Sequence, residues 1–419
     1  MFRVSRVPIA VVAVAALVAC TEHAPTTTGL GLSASRSGLP FTEGLASPAW
    51  QEKAAGLVSQ AGFNPQTATH AYPLLGVAQY LAVQRAEAAE GGGDVANVGS
   101  GIGSGAGGRN RLELDRGAVA GASVVVLTYV FPSQAQALED MVDAQANAGP
   151  GGLHPAFARG EAAGRAVGAE IVARAQTDGF SRAFTGTIPA GPGFWISNTN
   201  PSTIAGGQLP GVTPWFLTSA SQFRPGPPPA FGSAAFVAAR DEIRQISDTR
   251  TTEQIGIAAY WALSVGTPTT AGFWIQVATD GITQHGLSER EATHLYALLS
   301  ATMFDAQIGC WDAKETYWFI RPWQADAGIS VVPAVGKPNH PSYPSGHSCL
   351  SASGAEVLST FFPEQRNHLD AMVAEAGLSR MYGGIHYRFD IDVGQTLGRS
   401  VAGFTIAADA SGNSVLTSH

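Results

Sequence analysis

From Ser288 to Pro322 the chain reads SEREATHLYALLSATMFDAQIGCWDAKETYWFIRP, and this stretch decides the fold. Ser288 followed three residues on by Glu291 is a capping box, the start signal of a helix. Apolar and small residues then recur at helical spacing until Pro322, which has no N–H to give and clashes with the preceding turn. The reading is one long helix from Glu289 to Ile320. Lys314 and Arg321 stand seven residues apart on it, almost two turns, so both side chains share one face about 10 Å apart along the axis. Two cations on one stripe are either a solvated charged face or a request for an anion. The neighbours Trp311, Tyr317, Trp318 and Trp323 favour a buried face and hence the anion.

Upstream, the helical period holds from Trp50 to Glu90, Leu112 to Ala148, Pro155 to Ala175 and Ala234 to Val265. Gly91 to Gly108 reads as a flexible loop. Phe180 to Phe231 is interrupted by Gly191-Pro192-Gly193-Phe194-Trp195 and by Pro225-Gly226-Pro227-Pro228-Pro229, so it reads as a long irregular segment of functional or lid type. Alternating strand pattern is scarce, and no repeat of about 20 to 50 residues marks a solenoid. The fold class is therefore all-α, built of helical bundles. The expected organisation is a signal peptide over 1–19, a flexible tether over 20–48, an N-terminal helical region over 49–284 that contains the irregular segment 180–231, and a domain over 285–410 that carries the chemistry.

The first residues support export. Arg3 and Arg6 precede an apolar run from Val7 to Ala19, well short of the roughly 20 residues a membrane-spanning helix needs. Leu17-Val18-Ala19-Cys20 has the form of a bacterial lipobox, in which Cys20 becomes the lipidated first residue of a protein anchored in the cell envelope and facing the periplasm or exterior. The alternative is ordinary cleavage near Ala19 with Cys20 an incidental thiol. The net charge is -8 at pH 7, and loss of the leader removes Arg3 and Arg6 but no acid, which argues against a nucleic-acid partner. Cys310 and Cys349 are left as a disulfide or as two inert buried thiols. A homo-oligomer stays open.

Two further blocks join Lys314 and Arg321. In His340-Pro341-Ser342-Tyr343-Pro344-Ser345-Gly346-His347, Ser345 and Gly346 open a helix that runs from about Ser348 to Phe361, so their N–H groups and the serine hydroxyl suit an anion at a positive helix end. His347 in the first turn stands beside that anion, able to move a proton. In Ser379 to Asp390, Arg380 and His386 would diverge on a straight helix, but Gly383-Gly384 permits a bend that brings both to one centre. Asp390, four residues after His386, can hold one ring nitrogen and leave the other free to bond a metal or phosphorus. Three cations, a hydroxyl, helix-end N–H groups and two histidines suit a compact tetrahedral oxyanion.

These three blocks, Lys-x6-Arg-Pro, Pro-Ser-Gly-His and Ser-Arg-x5-His-x3-Asp, are intact and in order over Lys314 to Asp390. With them the sequence resembles the type 2 phosphatidic acid phosphatase and vanadium haloperoxidase superfamily. The run Asp305 to Lys314, Gly191 to Trp195 and Gln222 to Ser233 look like its bacterial haloperoxidase branch, as does the long helical stretch before 285. The resemblance implies vanadate as cofactor, with phosphate able to take the same site. Lys314, Arg321, Ser345, Gly346 and Arg380 would hold the oxygens, His386 would be the metal ligand, His347 the acid–base group, and Asp390 the partner of His386. Hydrogen peroxide and halide would be the substrates, with Lys314 polarising a peroxide oxygen and His340 and Trp311 in the halide pocket. His340 stands where bromide-using relatives carry histidine, so bromide is expected over chloride; a plain loop histidine is the alternative. Trp318-Phe319-Ile320 departs from the Phe-Trp of many relatives, which touches the pocket's shape. The same resemblance allows a phosphomonoesterase, in which His386 attacks phosphorus and His347 protonates the leaving alcohol. A third class is an oxyanion-binding protein without turnover, although simple binding would not need both histidines.

Overall fold

α9 (Glu289–Tyr317) is the axis of the molecule: every residue from Leu295 to Lys314 is buried, as expected of a helix enclosed on all sides. The computed structural model describes residues 44–91, 106–148, 153–412 and 414–417. The expected signal peptide, Cys20 and most of the tether lie outside these residues. Thirteen α-helices and no strand occur among them, and none of the helices is long and apolar enough to cross a membrane. Before the axis come α1 (Ala46–Gln60), α2 (Pro65–Ala89), α3 (Ala106–Val130), α4 (Ala135–Ala146), α5 (Pro155–Thr177), α6 (Ala234–Thr249), α7 (Thr252–Tyr260) and α8 (Thr269–His285). After it come α10 (Pro322–Ala325), α11 (Gly346–Phe361), α12 (Arg366–Tyr382) and α13 (Arg388–Ala410). The α9 surface is covered by α2 and α8 from one side of the sequence and by α11 and α13 from the other. One apolar core therefore runs across residue 285 rather than stopping there.

Helix starts follow local chemistry. Asn64 accepts the Thr67 N–H, Ser233 that of Phe236, and Thr251 with Gln254 and Ser288 with Glu291 form reciprocal capping boxes. α3 and α5 pack backbone to backbone: a Cβ added at Gly160 would lie 1.9 Å from the Leu114 carbonyl oxygen, and one at Gly117 2.0 Å from that of Phe157. Only glycine permits that approach. α1 starts at Ala46, inside the stretch expected as tether, because the buried Glu289 carboxylate accepts the Ala46 and Ser47 N–H groups at 2.6 and 2.8 Å. Residues 106–108, expected in the flexible loop, open α3.

Three predicted helices are shorter than their patterns. Leu112 to Ala148 breaks at Phe131, held out of the helical region by Pro132. Ala234 to Val265 breaks at Arg250, whose extended backbone separates α6 from α7. The helix predicted to Ile320 stops at Tyr317, where Trp318 takes a left-handed conformation (φ 47°). Trp318 packs with Trp195, and the two carbonyls of Trp318 and Gly193 accept the N–H groups of Trp195 and Ile320 at 2.7 and 3.0 Å. The chain leaves the helix as a short bridge of Phe319 with Phe194. Arg321 is accordingly not on the face of Lys314; it precedes α10.

Residues 180–231 are irregular but anchored. Asp305 on α9 receives the N–H groups of Trp215, Phe216 and Leu217 at 2.8, 2.7 and 2.9 Å. Trp311 donates its indole N–H to Ala205 at 2.8 Å, and Arg224 clasps Asp312 through two bonds of 2.6 and 2.7 Å. Burial pushes the Asp305 carboxyl up to about 6 while the three N–H groups oppose the shift. Side chains about two turns apart on α9 thus replace the missing secondary structure of this segment.

Candidate active site

The 340–345 loop, the first turn of α11 and the α12–α13 turn meet beside the C-terminal end of α9. Lys314, fully buried, donates from Nζ to the carbonyls of Pro341 (2.8 Å), Ser342 (3.0 Å) and Pro344. All three ammonium N–H groups are engaged, so in this arrangement Lys314 fastens the loop and faces the site through its charge. Burial drives its pKa down to about 8, with the neighbouring Arg321 cation pushing the same way.

Arg321 is also fully buried and spans three groups. Its Nε donates to the His340 carbonyl (3.0 Å), Nη1 to the Ile385 carbonyl (2.7 Å) and to His386 Nε2 (3.0 Å), and Nη2 to His340 Nδ1 (3.1 Å). Arg380 donates to Ser379 Oγ (3.0 Å) and to the Ala258 carbonyl (3.1 Å). Burial lowers both arginines, to about 10 and about 9, yet a guanidinium stays charged across the working range. None of the three cations has a carboxylate within ion-pair distance among the described residues. Three buried, unneutralised positive charges are costly, and an anion in their midst offsets that cost.

Ser345 caps α11, its Oγ accepting the Ser348 N–H at 3.4 Å, while its own N–H donates to the Asp390 carbonyl at 2.8 Å. The N–H groups of α11's first turn are the positive end of a 16-residue helix. A Cβ on Gly346 would come to 3.4 and 3.6 Å from the Trp311 ring, filling the space before that indole. His340 is tilted against Trp311, with ring centroids 5.0 Å apart. Its Nδ1 lies 3.1 Å from the Arg321 Nη2 donor and 3.3 Å from the Pro341 carbonyl acceptor; burial, then the Lys314 and Arg321 charges, hold its pKa well below the usual histidine range.

His386 donates from Nδ1 to Asp390 Oδ2 at 2.9 Å, which leaves an Nε2 lone pair directed at Arg321. The bend expected at the glycine pair is present: α12 ends at Tyr382, Gly384 has φ 76°, and α13 starts only at Arg388. Asp390 Oδ2 also accepts from Ser342 Oγ (2.6 Å) and the Tyr387 N–H (3.1 Å). Burial raises the Asp390 carboxyl to about 6, while Ser342 and Lys314 pull it back. Burial, followed by the Arg321 and Lys314 charges, holds His386 well below its ordinary value, so the ring is neutral.

His347 has its Nε2 3.0 Å from the Trp261 carbonyl oxygen. A carbonyl only accepts, so Nε2 carries the proton and Nδ1 the lone pair; Arg380 Nη1, 3.4 Å from Nε2, acts there through its charge. Burial and that charge depress the His347 pKa, and the backbone groups of Trp261 and Ala262 oppose them.

Every residue expected at the site from sequence is thus in one neighbourhood. Ser342 and the carbonyls of Ala258 and Trp261 were not anticipated. A second serine inside the histidine-rich loop was a usable signal for Ser342, whereas backbone carbonyls leave none. Cys310 and Cys349 are buried free thiols behind the loop.

The helical fold with this oxyanion cradle defines a class. Residues 292–410 match the PAP2 superfamily, which covers the span from α9 to the end of α13. Over 110 residues the chain is 32% identical to a non-specific acid phosphatase of Providencia stuartii, covering 25% of this chain and 44% of that protein. The chain therefore spans less than half the length of that curated relative. The whole fold is similar to a bacterial vanadium-dependent iodoperoxidase, with TM-score 0.70 and 22% identity over 87% of this chain and 96% of that one. It is also similar to a holo-type bacterial vanadium-dependent chloroperoxidase, with TM-score 0.66 and 15% identity over 90% and 98% of the two chains. Residues 292–410 thus match the PAP2 superfamily, and the fold is the all-helical one of these two bacterial proteins.

Proposed function

We propose that the protein is a vanadate-dependent haloperoxidase that oxidises halide with hydrogen peroxide and favours bromide over chloride. The observation that carries this reading is the cradle itself: three buried cations without carboxylate partners surround a neutral histidine whose Nε2 lone pair faces them. That donor set fits a tetrahedral oxyanion centred on a metal, because nitrogen is available for the central atom and positive charge for its oxygens. Bound vanadate supplies a Lewis acid that activates peroxide without changing its own oxidation state.

The chain's residues then divide the work. His386 Nε2 would hold the metal, with Asp390 on the opposite nitrogen. Arg321, Arg380, the Ser345 hydroxyl and the Gly346 N–H would hold the oxygens of the anion, and Lys314 would add charge from behind the loop. His347 accepts and returns a proton through Nδ1. His340 and Trp311 border the halide's place, where the neutral ring of His340 and the indole edge suit a large, weakly hydrated anion.

The 32% identity to an acid phosphatase over 110 residues favours one second reading, a phosphomonoesterase. There His347 first takes a proton at Nδ1, His386 Nε2 attacks phosphorus, the P–O bond to the alcohol breaks, the alcohol oxygen takes that Nδ1 proton, and water then cleaves the phosphohistidine to phosphate. The test is parallel assay of residues 21–419, purified without phosphate, for bromination of a β-diketone by peroxide and for hydrolysis of an aryl phosphate, each with and without vanadate. Vanadate-dependent bromination is the expected result; vanadate-inhibited phosphate release without bromination moves the protein to the second reading. We further propose that the protein is exported and anchored through lipidated Cys20, as the lipobox suggests. Mass spectrometry of the mature N-terminus finding an unmodified residue there would remove the anchor.

A further inference from the structure

The last turn of α7 and the residue that follows it contribute no side chain with reactive chemistry, yet a carbonyl from each enters the site. Ala258 accepts from Arg380 Nη2 at 3.1 Å, and Trp261 accepts from His347 Nε2 at 3.0 Å. What aims the Trp261 carbonyl is its own side chain. The indole is buried, packed against Phe273 with centroids 4.9 Å apart, and its N–H donates to Glu375 Oε1 at 2.8 Å. Glu375 stands on α12, the helix that also carries Arg380. Two residues past Trp261 the backbone is strained: Leu263 adopts φ 40°, which non-glycine residues rarely accept unless their surroundings impose it.

We propose that Trp261, locked by Glu375, is a positioning residue that sets which nitrogen of His347 carries the proton. The inference rests on the reading of His347 as the acid–base group. A neutral imidazole has one donor and one acceptor nitrogen. With the Trp261 carbonyl fixed at Nε2, the proton is held there and the lone pair is held at Nδ1, so acid–base traffic runs through one atom. If the indole loses its acceptor, the carbonyl can drift, Nε2 loses its partner, and both tautomers become populated. Arg380 is 3.4 Å from the same nitrogen and would then donate to it, taking its lone pair out of use.

The geometry separates this role from simple packing. Glu375→Gln keeps an oxygen that accepts the indole N–H, Glu375→Leu removes it while keeping bulk, and Trp261→Phe removes the donor from the other side. The experiment is long-range 15N–1H correlation of the histidine rings in labelled protein, the His347 signals being assigned by their absence from His347→Asn, together with kcat and KM for whichever reaction the wild type performs. Expected are a single Nε2–H tautomer in wild type and Glu375→Gln, mixed tautomers in Glu375→Leu and Trp261→Phe, and a fall in kcat of roughly tenfold for those two with KM within twofold. An unchanged tautomer in both of those variants overturns the proposal, and so does damage in Glu375→Gln equal to that in Glu375→Leu. Because the tautomer is read without turnover, failure of the acid–base role shows separately as wild-type kinetics in His347→Asn, and failure of the haloperoxidase reading shows as absence of bromination by the wild type.

Discussion

Asp390 binds His386 Nδ1 at 2.9 Å with the same oxygen that takes Ser342 Oγ at 2.6 Å and the Tyr387 N–H at 3.1 Å. One buried carboxylate oxygen thereby ties His386 to the 340–345 loop and to the start of α13. An imidazole free to rotate or to move its proton would offer Nε2 only part of the time. Asp390→Asn is expected to weaken vanadate affinity by about 10- to 100-fold, the usual effect of losing the partner of a ligating histidine. Calorimetric titration with vanadate checks it, and an affinity within twofold of wild type would show that Asp390 does not orient the ring.

Lys314 titrates where the site can feel it. Its pKa is pushed down to about 8 from an ordinary value of about 10.4, mainly by burial. Below pH 8 the ammonium is already charged and an anion binds without taking up a proton. Above pH 8 the amine is neutral, and binding must first restore the charge, so affinity falls with rising pH. Inorganic phosphate, a dianion throughout that range, is expected to bind about tenfold more weakly for each pH unit above 8, until the pKa of the bound form is reached. Lys314→Met should bind weakly at every pH without that break. A break that persists in the variant assigns it to another group.

The helical class and the make-up of the cradle were legible because both are written in side chains: a capping box at Ser288 and Glu291, periodic apolar residues, and cations and histidines that have no reason to cluster around nothing. The register of Arg321 was not. Helix periodicity carries straight through Trp318, and only the packing of that ring on Trp195, with the backbone bonds between residues 193–195 and 318–320, turns the chain out of the helix. The Trp261 carbonyl was invisible for a more basic reason, since every residue has one and its use depends on where the fold aims it. The anchoring of 180–231 lies between these cases: Asp305 and Asp312 were seen on the α9 sequence, but three N–H groups converging on one carboxylate are a product of tertiary structure.

The α3–α5 contact makes the N-terminal helices testable without reference to function. A Cβ at Gly160 would meet the Leu114 carbonyl oxygen at 1.9 Å, so the helices must part to admit it. Gly160→Ala is expected to destabilise the protein by about 3 kcal/mol, the upper range for overpacking, despite alanine's better helix propensity. Gly403→Ala on α13, where nothing lies within 4 Å, is the control and should stabilise by about 0.5–1 kcal/mol. Urea denaturation decides it: equal effects of the two substitutions would mean that α3 and α5 do not pack this closely.

Cys310 and Cys349 bring the site's surroundings to a sharp test, because the proposed export would carry them among oxidants that exposed thiols would not survive. Both are buried, and Cys310 Sγ lies 3.8 Å from the Pro344 carbonyl, which also serves Lys314. Burial raises the Cys349 thiol well above its usual range, so little thiolate forms there to attack or be attacked. Because both thiols are fully buried, residues 21–419, which exclude Cys20, should show no thiol reactive with Ellman's reagent when folded and two after denaturation without reductant. No thiol after denaturation would mean that the pair is bonded in the mature protein. Cys310→Ser and Cys349→Ala should each leave inorganic phosphate affinity within twofold, since the thiols fill space behind the loop and donate nothing to the anion. A larger loss in Cys310→Ser alone would show that its weak bond to Pro344 helps hold the carbonyl on Lys314.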